Sequence, residues 1–167
     1  MLAPLLVLLV LVGLGAASFV WAAGELPAHV ASHFDGQGKA DGWMNRDSYL
    51  KLMAAIGLAV PLCMVGTGLM IGALPSGSIN LPHRDYWLSP ERRGDTIGYL
   101  ARHMAWLACM VLGLFLAVHY LVVEANRATP LRLSNFVWIL LALFLGFVTV
   151  WMIVLAVHFS RPPSVGK

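Results

Sequence analysis

The sequence predicts an all-α fold. It reads as an integral membrane bundle of four transmembrane helices, one domain over 1–167, with an ordered extracytoplasmic loop between helices 1 and 2. Composition carries the first part: hydrophobic residues make up 59% and charged residues 11% of 167 positions, too little polar surface to cover a soluble globule. A mean hydropathy of +0.78 agrees. Four apolar runs carry the second part, with spans at about 2–23, 50–74, 100–123 and 134–159. Each meets the roughly 20 residues that a helix needs to cross a bilayer.

Leu2 to Ala23 contains no charged residue. It has no Lys or Arg before its apolar core, and that core exceeds the roughly 7 to 15 residues of a secretory signal, so a retained helix is expected. The segment Leu26 to Trp43 is polar and punctuated by Pro27, Gly36, Gly38 and Gly42, which predicts a loop. It holds His29, His33, Asp35 and Asp41, the densest group of chemically able side chains outside the second loop.

The second span carries Gly57, Pro61, Gly66, Gly68 and Gly72. Gly68 and Gly72 form a GxxxG spacing that lets another helix approach closely, either within the bundle or in a homodimer through this face. The loop that follows contains Tyr86 and Trp87 among charges and reads as a segment lying along the cytoplasmic interface. Ser89 suits a helix cap, Pro90 a first helical position, and Glu91 the positive helix end, so a helix is expected from about Pro90 into the third span. Arg92, Arg93 and Arg102 then lie where they meet lipid headgroups or a docking partner.

Trp21, Trp43, Trp87, Trp106, Trp138 and Trp151 all fall near predicted span ends, as interfacial anchors do. Cys63 and Cys109 lie inside spans and suggest neither a disulfide nor a thiolate zinc site. If spans three and four form an antiparallel hairpin, His103 and His158 sit level on neighbouring helices, either as interface residues or as axial haem ligands. His119 lies a turn inside the other end of the third span, where an ionisable group needs a partner, with Tyr120 and Glu124 on a neighbouring face. Together these predict a polar pocket roofed by the His33 loop.

Orientation follows from basic residues. With both termini cytoplasmic, Arg84, Arg92, Arg93, Arg102, Arg161 and Lys167 are inside, and Lys39, Arg46, Lys51, Arg127 and Arg132 are outside. The Arg92-Arg93 pair favours this arrangement.

Leu26-Pro27, His33-Phe34, Gly38 and Asp41-Gly42-Trp43 resemble the LPxxIPxHFxxxGxPDGW signature of the bacterial membrane domain of unknown function 1648, found also at the N-terminus of Sdp-type toxin-immunity proteins. Asn80-Leu81-Pro82, Tyr86-Trp87-Leu88 and Pro90-Glu91-Arg92-Arg93 look like the stretch that follows in short family members. The pattern departs at Ala31 and Ala40, where the family usually has proline. The resemblance implies a multi-pass protein of the bacterial cytoplasmic membrane.

The signature residues themselves have three readings. In a structural reading, Phe34 and Trp43 insert into the interface, the glycines supply turns, and Asp41 and His33 satisfy hydrogen bonds. In a binding reading, they form an extracytoplasmic site for a peptide or other ligand. In a metal reading, His29 and His33 hold zinc, although the H-x-x-x-H spacing lacks the Glu of a metalloprotease motif. No nucleophile, phosphate loop or carboxylate pair stands out, so a non-enzymatic protein is expected, and the resemblance implies an immunity-like one that binds or senses an extracytoplasmic ligand. A small transport or channel component and a metal- or haem-dependent enzyme are the alternatives. The expected partners are the lipid bilayer and a peptide or protein ligand, with no nucleic acid.

Overall fold

A computed structural model describes residues 1–161; Lys167, counted above for orientation, lies outside them. Four helices are long and apolar enough to cross a membrane: Leu2–Glu25 (α1), Arg46–Ala73, Arg93–Arg127 (α4) and Phe136–Ser160 (α5). In the second of these, the α-helix proper is Arg46–Met70 (α2), and a 3-10 turn, Ile71–Ala73, finishes it. A one-turn helix, Arg84–Trp87 (α3), lies between α2 and α4. At about 1.5 Å per residue, the 24 residues of α1 reach roughly 36 Å, enough for a hydrocarbon core of about 30 Å. The 35 residues of α4 reach roughly 52 Å, longer than the hydrocarbon core, so at least one end extends into the headgroup layer or water. The chain is a multi-pass membrane protein.

Helices α1, α2 and α4 pack on one another, with α4 as the shared wall. Its seam is built of small side chains, Ala101, Ala105 and Ala108, all buried. A Cβ on Gly68 would stand 3.0 Å from the Met104 Cβ and 3.3 Å from the Ala101 Cα, and one on Gly72 would stand 3.3 Å from Ile97. The GxxxG face is therefore filled by α4 of the same chain, and a homodimer through Gly68 and Gly72 would have to displace it. Nearer the middle, Leu8, Cys109 and Leu112 form a buried cluster against which Trp106 packs. Trp106 is thus half-buried against this cluster, well inside α4.

Helix α5 packs along α4 and leaves most of its surface bare, with Leu143 67% and Val150 61% exposed. Only its end residues Val137 and Phe159 are buried. Lipid is the solvent that makes such a helix stable, since water would not tolerate the exposed apolar area.

The segment expected as a loop is a β-hairpin. His29–Phe34 (β1) and Ala40–Asn45 (β2) pair antiparallel from His29↔Asn45 to Phe34↔Ala40, with irregular register around His33. Alternation in β2 is strict, with Asp41, Trp43 and Asn45 exposed and their neighbours partly covered. Glycine and aspartate content hides this period in the sequence. Asn45 also caps α2, its Oδ1 accepting the Asp47 N–H at 2.9 Å. At the opposite end, α4 starts at Arg93 rather than Pro90, and its N-cap Arg92 makes no side-chain capping bond. Ser89 contributes instead through its carbonyl, which accepts the Arg92 and Arg93 N–H groups at 3.0 and 2.9 Å.

Candidate functional site

The hairpin turn is organised by Asp35. Its Oδ1 accepts the backbone N–H groups of Gln37 at 2.8 Å and Lys39 at 2.9 Å. The Lys39 N–H bond foremost, then the Gln37 bond and the charges of Lys39 and Arg132, outweigh desolvation and hold the Asp35 carboxyl below its ordinary value of 3.8. Gly38 has φ +78°, and a Cβ there would stand 2.5 Å from the Leu133 carbonyl oxygen. Both conformation and space require glycine. Gly42 is required by space alone, since its Cβ would stand 2.8 Å from the His33 Cβ across the ladder.

That close crossing sets the geometry of the exposed face. With no side chain on Gly42 in the way, His33 Nδ1 lies 2.5 Å from Asp41 Oδ1, and these side chains are 74% and 46% exposed. An Nδ1–H that donates to the carboxylate leaves Nε2 of the neutral ring as an acceptor or ligand. Beside the pair, Trp43 presents an indole 57% exposed. Exposed as it is, such a hydrogen-bonded pair contributes at most about 1 kcal/mol to stability. His33 and Asp41 thus hold each other in place while doing little to hold the fold, and Trp43 stands exposed beside them.

The hairpin itself is fastened on several sides. Asn126 near the end of α4 acts as a partner for the free edge of β1: its Oδ1 accepts the Ala31 N–H at 2.8 Å, and its Nδ2 donates to the Ala31 carbonyl at 3.0 Å. In the α4–α5 connection, the Leu133 N–H donates to the Gly38 carbonyl at 2.9 Å, and the Arg132 guanidinium donates twice to the Gln37 carbonyl. The inner face closes on a buried cluster of Ala22, Leu26, Val30, Tyr49, Val122 and Val123, with Phe34 packed against it. Phe34 accordingly belongs to the hairpin's support. Sequence reasoning missed Asn126, Tyr49 and Leu133, because each acts through a partner far away in the chain.

Residues expected in one polar pocket occupy separate places. His119 is 2% exposed, with Nδ1 2.9 Å from the Tyr49 hydroxyl and the rings of Phe19 and Tyr49 against its own. Its Nε2 has no hydrogen-bond partner among the described residues. Glu124 instead accepts from Arg127 at 2.7 Å, and Arg127 also meets Glu25 of α1 at 2.9 Å. Tyr120 turns outward, stacked on Trp21. The arrangement is an exposed dyad, a sealed Tyr49–His119 pair and a lateral ion triad, not one open pocket.

At the other end, Arg93 is committed inside the protein. Its guanidinium donates to the carbonyls of Gly72 at 3.0 Å and Leu74 at 2.6 Å and to the Ser76 hydroxyl at 3.2 Å, closing the end of α2. That corrects its expected place among headgroup contacts. Arg92 lies 4.3 Å above the Tyr86 ring. The Glu91 carboxyl is held below its usual range by its own backbone N–H and by Ser89. Trp87 donates its indole N–H to the Phe159 carbonyl at 2.9 Å.

The metal and haem alternatives meet specific geometry. Among the described residues, no three His, Cys, Asp or Glu side chains converge, so His29 and His33 lack the further ligands of a zinc site. His103 and His158 do lie at one end of the bundle, and both meet the Tyr99 ring, tilted against His103 at 4.0 Å and stacked on His158 at 4.7 Å.

Residues 9–58 match the family model of a domain of unknown function, DUF1648. The DUF1648 segment runs from within α1, through the whole hairpin, into α2, and so includes the His33, Gly38, Asp41-Gly42-Trp43 motif. It ends before the Tyr86 to Arg93 motif. Comparisons with curated proteins and with solved structures give no match.

Proposed function

We propose that this is a non-enzymatic binding protein of the bacterial cytoplasmic membrane. The hairpin faces outward from the cell and engages an extracytoplasmic peptide, as an immunity-like protein would. The observation that carries the reading is the outer face of the hairpin: a His33–Asp41 pair beside Trp43, exposed on a platform whose edges and inner face are fastened to the bundle. Side chains that are positioned but contribute little to the fold are the kind that serve recognition. An indole and an oriented imidazole together offer apolar area and directed hydrogen bonding to a peptide.

Orientation is tested first. In a variant lacking the native thiols of Cys63 and Cys109, Gln37→Cys reacts with a membrane-impermeant thiol reagent in intact cells, and Gly94→Cys reacts only after permeabilisation. The reverse pattern turns the molecule over and removes an external ligand. Binding is tested by panning a random-peptide phage library against the protein in nanodiscs. Peptides retained by the wild type and released by the His33→Ala/Trp43→Ala variant support the reading; equal retention rejects it.

A further inference from the structure

We propose that the end of the bundle opposite the hairpin contains a binding site for a quaternary ammonium group, carried by a small free cation or by a choline-type lipid headgroup. A cavity of about 150 Å³ opens there between α3, the start of α4 and the end of α5, lined by Trp87, Asp95, Thr96, Tyr99, His158 and Phe159. Liquid water occupies about 30 Å³ per molecule, so the space suits a group of a few heavy atoms such as trimethylammonium.

Its walls are aromatic: the Phe159 ring stands across the others, while the His158 ring lies near-parallel to Tyr99 at 17° and tilted 32° to Trp87. The Trp87 and Phe159 rings meet at 79° with centroids 5.2 Å apart, Tyr99 and Phe159 meet at 81°, and Trp87 lies 5.0 Å from His158. Aromatic faces carry negative quadrupole density and attract a cation that approaches them. Asp95 supplies the single carboxylate in the lining, and no Arg or Lys pairs with it among the described residues. The two nearest cations in sequence are committed elsewhere, Arg92 over Tyr86 and Arg93 on the carbonyls of Gly72 and Leu74.

The lining distinguishes a methylated ammonium from a primary one. A primary ammonium leaving water must replace three donated hydrogen bonds, and here Asp95 is the one anionic acceptor. The Thr96 hydroxyl donates to the Trp87 carbonyl at 2.8 Å, holding the cage rather than the guest. A quaternary ammonium has no N–H bonds to lose, so aromatic contact and one carboxylate suffice. The cage is also preorganised. Trp87 is fixed by the Phe159 and Thr96 bonds, and His83 Nε2 lies 3.1 Å from the Ser160 carbonyl, joining α3 to the end of α5.

The test is calorimetric titration of choline into the protein in phosphatidylglycerol nanodiscs. The wild type binds choline saturably. Its uncharged carbon isostere dimethylbutanol binds about tenfold more weakly, and Asp95→Asn weakens choline binding by about tenfold. Asp95 is exposed and makes no internal ion pair, so this variant keeps the fold; Trp87→Leu, which removes a wall, abolishes binding. Absence of saturable binding, equal affinity for the neutral isostere, or unchanged affinity in Asp95→Asn overturns the proposal. Adding phosphatidylcholine to the nanodiscs separates the sources. Competition with choline identifies the lipid headgroup as guest, and unchanged choline affinity identifies the free cation.

Discussion

The two ends of the bundle close the same kind of gap by different means. At the hairpin end, closure is largely backbone to backbone, with the Asn126 and Arg132 side chains added to it. The β1–β2 ladder, the Leu133–Gly38 bond and the Asn126 amide, which mimics a strand, satisfy polar groups that would otherwise face the membrane boundary. At the opposite end, side chains reach across to carbonyls, with Arg93 on Gly72 and Leu74, Trp87 on Phe159 and His83 on Ser160. Backbone closure demands glycine where chains touch and leaves an outer face free to carry a recognition surface. Side-chain closure commits its charged and aromatic residues, and the rings of Trp87, Tyr99 and Phe159 border an open cavity.

The comparison breaks most severely at Gly38. Gly38→Val combines a positive φ with a Cβ placed against the Leu133 oxygen. It is expected to cost about 3 kcal/mol or more. Thermal unfolding in detergent reads the loss, and hydrogen exchange at Lys39 and Leu133 localises it. A stability equal to wild type would show that the turn does not need its contact with the connection.

Asn126→Ala comes next. It leaves both the N–H and the carbonyl of Ala31 without their partner, at about 1 to 3 kcal/mol for a buried orphaned group. Asn126→Asp keeps the acceptor but turns a carboxylate oxygen toward the carbonyls of Ala31 and Val122, so it melts no higher than the alanine variant. A melting temperature close to wild type would mean that the bond to the Ala31 N–H carries most of the effect.

At the other end, Arg93→Gln is expected to destabilise by about 1 to 3 kcal/mol, because two carbonyls at the end of α2 lose a charged donor. Arg92→Gln costs about 0.5 to 1 kcal/mol, the value of an exposed cation over an aromatic ring. If chemical unfolding in detergent ranks Arg92 above Arg93, the account of side-chain closure is wrong.

The smallest effect separates fold from recognition within the hairpin. Asp41→Asn is expected to change stability by less than about 1 kcal/mol while reducing peptide retention. Acid acts on a different residue. The folded Asp35 carboxyl titrates below its ordinary value of 3.8, so its contribution is present above that value and is lost as pH falls through the lower folded value. Protection against hydrogen exchange at Gln37 and Lys39, taken relative to the intrinsic rate at each pH, therefore falls on acidification below about pH 4 and is unchanged between neutral pH and pH 5, a profile that Asp35→Asn removes.

Much of this protein is legible without coordinates because hydropathy is a one-dimensional property. Four apolar runs determine four spans, since each helix satisfies its own backbone and asks only for a low-dielectric solvent. The His33 to Trp43 motif is likewise visible as a run of glycine and chemically able side chains, and its match to DUF1648 rests on the order of residues alone. What the runs leave open is everything that depends on which helices touch. Extended hairpin and loop share one composition, and the hairpin exists because Asn126 and Leu133, about 95 residues downstream, complete its hydrogen bonds. Arg93 reads as a headgroup contact until α2 ends beside it, and His119 reads as part of a pocket until Tyr49 and Phe19 seal it. Length and apolarity are summed along the chain, whereas the partner of a buried polar group is chosen by tertiary packing.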